Sequence, residues 1–136
     1  MLGEASFVGF IPVHDAAVAR SFYEGTLGLS VIDDTPFALV LDANGTMLRV
    51  TPVPEFVVQP FTIAGWQVPD VSATVRALSD KGVPFSHYEG MAQDDLGVWV
   101  APSGDRIAWF KDPDGNTLSL TTFVDRQPSS GGRDEP

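Results

Sequence analysis

A chain of 136 residues is long enough for one domain with its own core and too short for two ordinary ones. Its composition, 43% apolar with a mean hydropathy near zero, is that of a globular domain, and no apolar run reaches the ~18 residues of a membrane span. The formal charge of −10, with eight basic residues scattered singly, leaves no basic stripe for nucleic acid, and the lack of cysteine removes disulfides, thiolate metal sites and cysteine nucleophiles.

The chain opens on Met1-Leu2-Gly3-Glu4-Ala5, which lacks the basic region and apolar core of a signal peptide, so a cytoplasmic location is expected. Phe7-Val8-Gly9-Phe10-Ile11-Pro12-Val13-His14-Asp15 reads as a strand that stops at Asp15, an N-cap candidate. A helix follows near 16–24, with Val18 and Phe22 one turn apart, and Leu27-Gly28-Leu29 closes it. Strands are expected at roughly 29–34, 36–42 and 46–52, with Asn44-Gly45 as a type I′ hairpin turn. A linker beginning Pro52-Val53-Pro54 runs to about residue 60.

The second half starts again with alternation. Thr62, Ala64, Trp66 and Val68 share one face, and Ile63, Gly65 and Gln67 the other. Asp70 is the next N-cap candidate, and Val71, Val75 and Leu78 form the apolar stripe of a helix over 71–81 with Gly82 at its C′ position. Strand signals then appear near 84–88, 97–101, 105–111 and 117–123. Ser103-Gly104 and Asp112-Pro113-Asp114-Gly115-Asn116 are the turns. Residues 124–136, rich in Pro, Gly and Ser, are expected to be a disordered tail. Val13 and Asp15 stand at the same offset from Val68 and Asp70, and Gly28 and Gly82 differ from it by one residue, so the chain contains an internal duplication.

Asp15 followed by Ser21-Phe22-Tyr23 and Leu27-Gly28-Leu29 resembles the opening module of the glyoxalase/bleomycin-resistance/dioxygenase family, the vicinal oxygen chelate superfamily. Trp109-Phe110-Lys111-Asp112-Pro113-Asp114-Gly115-Asn116 followed by Leu118-Ser119-Leu120 resembles its closing module. The resemblance implies an α+β fold in which tandem βαβββ modules, about 6–52 and 61–123 within a single domain 1–123, roll a mixed sheet into a cup with helices outside. A small-molecule ligand would sit in that cup. Relatives often dimerise, so a homodimer is implied as well. Because members include metal-dependent lyases, epimerases, dioxygenases, transferases and metal-free drug binders, fold alone does not set function.

In metal-dependent members His and Glu ligands project from four strands. The matching positions here are Val8, Arg49, Ile63 and Ser119, and their neighbours supply no strong ligand either, so no metal and no cofactor is expected. The two histidines, His14 and His87, read as loop or surface residues, His87 lying nearer the mouth of the cup.

Alternation sorts the remaining positions. Ala64, Trp66, Val68, Leu48, Val50, Leu118, Leu120, Ile107 and Trp109 form an apolar set expected under the helices. Val8, Phe10, Pro12, Met47, Arg49, Thr51, Ile63, Gly65, Gln67, Ala108, Phe110, Thr117, Ser119 and Thr121 form a mixed set expected to line the cup. From it come the candidate ligand-binding residues Phe10, Met47, Arg49, Gln67, Phe110 and Ser119, joined by Trp99, which with Tyr88 offers a stacking surface.

Arg49 either receives a carboxylate, phosphate or polarised carbonyl of the ligand, or pairs internally with Asp42, Glu55 or Glu89, or reaches water. Segment 87–97, polar and glycine-flanked, resembles a lid. Besides a metal enzyme with an unexpected ligand set, two functions follow. One is metal-free binding of a drug or metabolite. The other is a lyase, isomerase or dioxygenase-type enzyme of the same superfamily, with Glu89, His87 and Asp95 as acid/base candidates and Arg49 as electrophile.

Overall fold

The computed structural model describes residues 1–124, so the tail expected at 124–136 lies, apart from Val124, outside the described residues. Strand β1 (Val8–Val13) leads into helix α1 (Ala16–Arg20), which widens into a π-helical turn over Ser21–Thr26. Strands β2 (Ser30–Asp34), β3 (Leu39–Ala43) and β4 (Thr46–Pro52) complete the first module. The second repeats the plan with β5 (Thr62–Gln67), α2 (Val71–Asp80), β6 (Trp99–Val100), β7 (Arg106–Lys111) and β8 (Thr117–Thr122).

Two four-stranded mixed sheets result, ordered β1-β4-β3-β2 and β5-β8-β7-β6, which makes the fold α+β. In each, the strand before the helix pairs in parallel with the last strand of its module and forms a sheet edge. No helix among the described residues is long and apolar enough to cross a membrane.

Local chemistry fixes the elements. The Asp15 carboxylate accepts hydrogen bonds from Ala17 N and Val18 N at 2.8 and 3.2 Å, and that of Asp70 accepts from Ala73 N at 3.2 Å. Both therefore satisfy amides left open at a helix start. Gly82 ends α2 at φ 92°, a left-handed conformation that only glycine adopts without strain, and Val83 N donates back to Leu78 O. Asn44 and Gly45 both have positive φ, as a type I′ turn requires.

Three local expectations need correction. The buried stripe of the first helix is Ala19 and Tyr23, while Val18 is 48% exposed, because α1 lasts only five residues before it widens. Residues 84–88 contribute only an isolated bridge from Phe85 to Phe110. Pro84 lacks an amide donor, and segment 86–97 is organised instead by side chains. The Gln93 side chain accepts from Tyr88 N and donates to Ser86 O and Gly97 O, and the Asp94 carboxylate accepts from Leu96 N and Val98 N.

The third correction concerns β7, whose two faces are the reverse of those expected. Ala108 and Phe110 are fully buried in the core, whereas Ile107 and Trp109 point to the opposite face. Both pairs are apolar, so alternation could not choose between them. The ladder to β8 chooses, since Phe110 pairs with Leu118 and Ala108 with Leu120.

One core serves both modules. Ile11, Val13, Leu41 and Val50 from the first sheet join Ala108, Phe110, Leu118 and Leu120 from the second, beneath Tyr23, Val71 and Val75 of the helical segments. A buried polar knot ties the modules further. Tyr23 Oη donates to Asp112 Oδ2 at 2.7 Å, and Asn116 Nδ2 donates both to Asp112 Oδ2 and to Pro12 O. Asp112 Oδ1 takes the amides of Asp114 and Asn116. Burial, then the adjacent Asp112 carboxylate, push the Tyr23 phenol far above its ordinary range.

Candidate functional site

Strands β1 and β5 each have a paired neighbour on one side only. Between them lies a cavity of about 890 Å³, bounded by residues 7–11, the β3–β4 turn with the start of β4, and residues 63–67. It draws on both faces of these strands, since Ile11, Leu48 and Trp66 point toward the core and Phe10, Met47 and Gln67 away from it. None of the lining side chains carries a charge. Asn44, Thr46 and Gln67 supply its polar groups, and the walls are otherwise aliphatic or aromatic, the composition usual for a pocket that takes an organic molecule.

Two glycines beside it let neighbouring side chains close against the strands. Gly9 pairs with Leu48 in the β1–β4 ladder, and Gly65 pairs with Ser119 in the β5–β8 ladder. A side chain at Gly65 would meet the Ser119 hydroxyl at 2.3 Å, so that hydroxyl lies directly against the Gly65 backbone.

The seven candidate residues part company here. Phe10, Met47 and Gln67 line the cavity together. Arg49 is half-buried and outside the lining itself, but it is the direct ladder partner of Phe10 and shares a face with Met47, both of which line the cavity. Its guanidinium forms no ion pair or hydrogen bond among the described residues, so the internal pairs with Asp42, Glu55 and Glu89 are not made. Ser119 faces Gly65 beside the cavity without lining it.

Trp99 packs against Trp109, centroids 6.2 Å apart, and Tyr88 meets Trp109 edge-on at 5.7 Å. These three rings form an aromatic wall outside the cavity lining. Phe110 is no wall at all. It is fully buried, with Trp66, Phe85 and Phe22 around it. The acid/base candidates His87, Glu89 and Asp95 are exposed and also lie outside the lining. His14 is exposed, bonded through Nδ1 to Asp114 and stacked on Phe56.

Sequence patterning missed Phe7, Gly9, Ile11, Ala43, Asn44, Thr46, Leu48, Ala64 and Trp66 as lining residues. Ala43, Asn44 and Thr46 reach the cavity because the hairpin tip folds beside β1, a tertiary fact with no local signature. Trp66 stacks on Phe110 and lines the cavity as well, a double role that alternation cannot express. A second hollow of about 640 Å³ lies along α1, but its only cation, Arg20, is held by Glu24 and Asp34 at 2.9 and 3.0 Å.

The four positions where the resemblance implies metal ligands do not fit a divalent ion. Val8 and Ile63 are alkyl, Arg49 is a cation, and the Ser119 hydroxyl is turned onto Gly65. Among the described residues no group of three or more His, Asp or Glu side chains converges elsewhere.

The sequence profile described as Glyoxalase/Bleomycin resistance protein/Dioxygenase superfamily matches residues 5–120. Among solved structures, a glyoxalase/bleomycin resistance protein/dioxygenase from Alicyclobacillus acidocaldarius superposes with a TM-score of 0.64 at 22% identity, covering 90% of this chain and 93% of that one. A glyoxalase family protein from Enterococcus faecalis gives 0.68 at 19% identity, covering 89% and 99%. Lactoylglutathione lyase from Agrobacterium tumefaciens gives 0.68 at 17% identity, covering 88% and 93%. At these identities the likeness concerns the fold. No curated protein matches the chain.

Proposed function

The chain belongs to the Glyoxalase/Bleomycin resistance protein/Dioxygenase superfamily, and from that premise we propose that it binds a small organic molecule between β1 and β5 without a family-type metal centre. The observation that carries the proposal is the cavity of about 890 Å³ with no charged side chain in its lining. Ligand pockets commonly span ~300–1,000 Å³ and bind through apolar walls with a few oriented polar groups. Phe10, Met47 and Trp66 are such walls, and Asn44, Thr46 and Gln67 are such groups.

Binding here is sequestration. No nucleophile with a base beside it lines the cavity, and His87, Glu89 and Asp95 lie outside the lining. A homodimer belongs to the same proposal, supported by exposed Phe7 and Phe10 of the cavity lining and by exposed Phe61 just before β5, at 77%, 65% and 58% exposure. Light scattering on the purified protein measures it directly.

The function is tested by a thermal-shift screen of drugs and metabolites, repeated on Phe10→Ala and Met47→Ala. Both side chains are exposed, so trimming them weakens ligand contacts with little effect on folding. Hits should weaken in both variants, and hits indifferent to both would place the binding site elsewhere. Metal analysis after incubation with Ni²⁺, Zn²⁺, Mn²⁺ and Fe²⁺ should find no stoichiometric ion. One ion retained per chain, or turnover that depends on it, would refute the metal-free part.

A further inference from the structure

A half-buried arginine normally finds a carboxylate in a chain with eighteen acidic residues. Arg20 holds two, and His14 holds one. Arg49 holds none among the described residues, and the ladder shows why. Its direct cross-strand partners are Phe10 on β1 and Val40 on β3, both apolar. The nearest acidic position on that face, Asp42 opposite Met47, is turned into the hairpin, where it accepts the Gly45 amide at 2.8 Å. Arg49 therefore stands beside two residues that line the uncharged cavity, Phe10 and Met47, with its donors unpaired among the described residues.

We infer that the ligand is an apolar organic molecule bearing a single anionic group (carboxylate, sulfonate or phosphate), its body among Phe10, Met47 and Trp66 and its anion on Arg49. The inference rests on the binding site proposed above and adds the chemical class that the site selects. The lining itself has no charge to offer a second anion or a cation. The net charge of −10 repels free anions at long range, so an inorganic anion gains too little from one arginine to bind. An anion with an apolar body gains burial as well as the planar, two-pronged contact that arginine gives.

Two dyes with the same rings separate these contributions. Anilinonaphthalene sulfonate carries one anion, and N-phenylnaphthylamine is its counterpart without the sulfonate. Fluorescence titration of the native protein should show saturable, one-to-one binding of the sulfonate dye, weakened about tenfold or more by Arg49→Met and restored in part by Arg49→Lys. The neutral dye should bind Arg49→Met at least as well as wild type, because no guanidinium is then left to be desolvated, and Met47→Ala should weaken both dyes. Circular dichroism of each variant verifies that the native fold persists.

If Arg49→Met leaves the sulfonate dye unaffected, or weakens the neutral dye equally, the anionic class is wrong while the cavity stands. If neither dye binds saturably, the binding site and the inference built on it both fall.

Discussion

Tyr23→Phe removes one oxygen and nothing else from the core. The ring stays fully buried and keeps its edge-on contact with Phe22, whose centroid lies 5.1 Å away. What disappears is the 2.7 Å hydrogen bond to Asp112, which is itself only 5% exposed. Asp112 retains three donors, the amides of Asp114 and Asn116 and the Asn116 side chain, so its charge is not orphaned. The loss is then one hydrogen bond to a charged acceptor, about 1.5–3 kcal/mol. For a domain of this size that lowers Tm by roughly 5–12 °C.

Alkaline pH gives a second readout with a definite sign. Burial and Asp112 raise the folded phenol above its ordinary value of 10.0, so the unfolded chain loses this proton first. The stabilisation is complete below pH 10.0 and declines as pH rises through and beyond it. Wild-type stability should fall more steeply above that pH than the stability of Tyr23→Phe. Urea titrations at neutral and alkaline pH measure both effects. A change under about 0.5 kcal/mol at neutral pH, with identical alkaline slopes, would refute the role given to this contact.

Other substitutions probe the remaining contacts. Gly65→Ala places a methyl 2.3 Å from Ser119 Oγ and 3.2 Å from Ser119 O, so denaturant melts should show a loss of about 1–3 kcal/mol. Ser119→Ala in the same chain should recover much of it, and no recovery would mean that the backbone oxygen dominates. Phe110→Ala should cost about 3–5 kcal/mol, with Trp109→Ala costing clearly less, because only the first side chain is fully buried. Equal losses would restore the opposite assignment of faces in β7. Gln93→Ala removes three hydrogen bonds that organise residues 86–97, and hydrogen exchange should quicken at Tyr88 while the amides of β8 keep their protection.

Much of the architecture was legible because it rests on short-range chemistry. Asp15 and Asp70 cap helices where strand alternation stops, and Gly82 and Asn44-Gly45 demand positive φ, so both helix starts and the β3–β4 hairpin follow from residue type. The duplicated order of these signals also carried the family resemblance. Legibility failed where two local solutions were equally good. In β7 the pair Ile107/Trp109 is as apolar as Ala108/Phe110, and only pairing with Leu118 and Leu120 decides between them. Counting across the Asp112–Asn116 turn would have found that pairing, since Lys111 faces Thr117 and every later pair follows. In segment 84–88 the strand pattern was genuine but outcompeted, because Gln93 offers the backbone at Ser86 and Tyr88 other partners.

The site was legible only by halves, and the division has a physical cause. Phe10, Met47 and Gln67 could be assigned to one face because alternation is a property of each strand alone. That β1 and β5 would border a shared cavity is a property of two sheet edges, and neither strand contains it. The outward part of such a lining can change while the core stays intact, since Phe10 and Met47 turn away from the core, whereas the lining residues Ile11 and Leu48 turn into it. The same separation explains how Arg49 is tolerated. On the core-facing side of β4 an unpaired guanidinium would be buried as deeply as Leu48 or Val50, at a cost of several kcal/mol. One residue along, it keeps partial access to water, so the price of leaving it unpaired is low until a ligand covers it. A covering ligand without an anion would have to bear that desolvation uncompensated. In the proposed site the position of Arg49 would thus discriminate against neutral ligands large enough to cap it, and favour those that bring the missing charge.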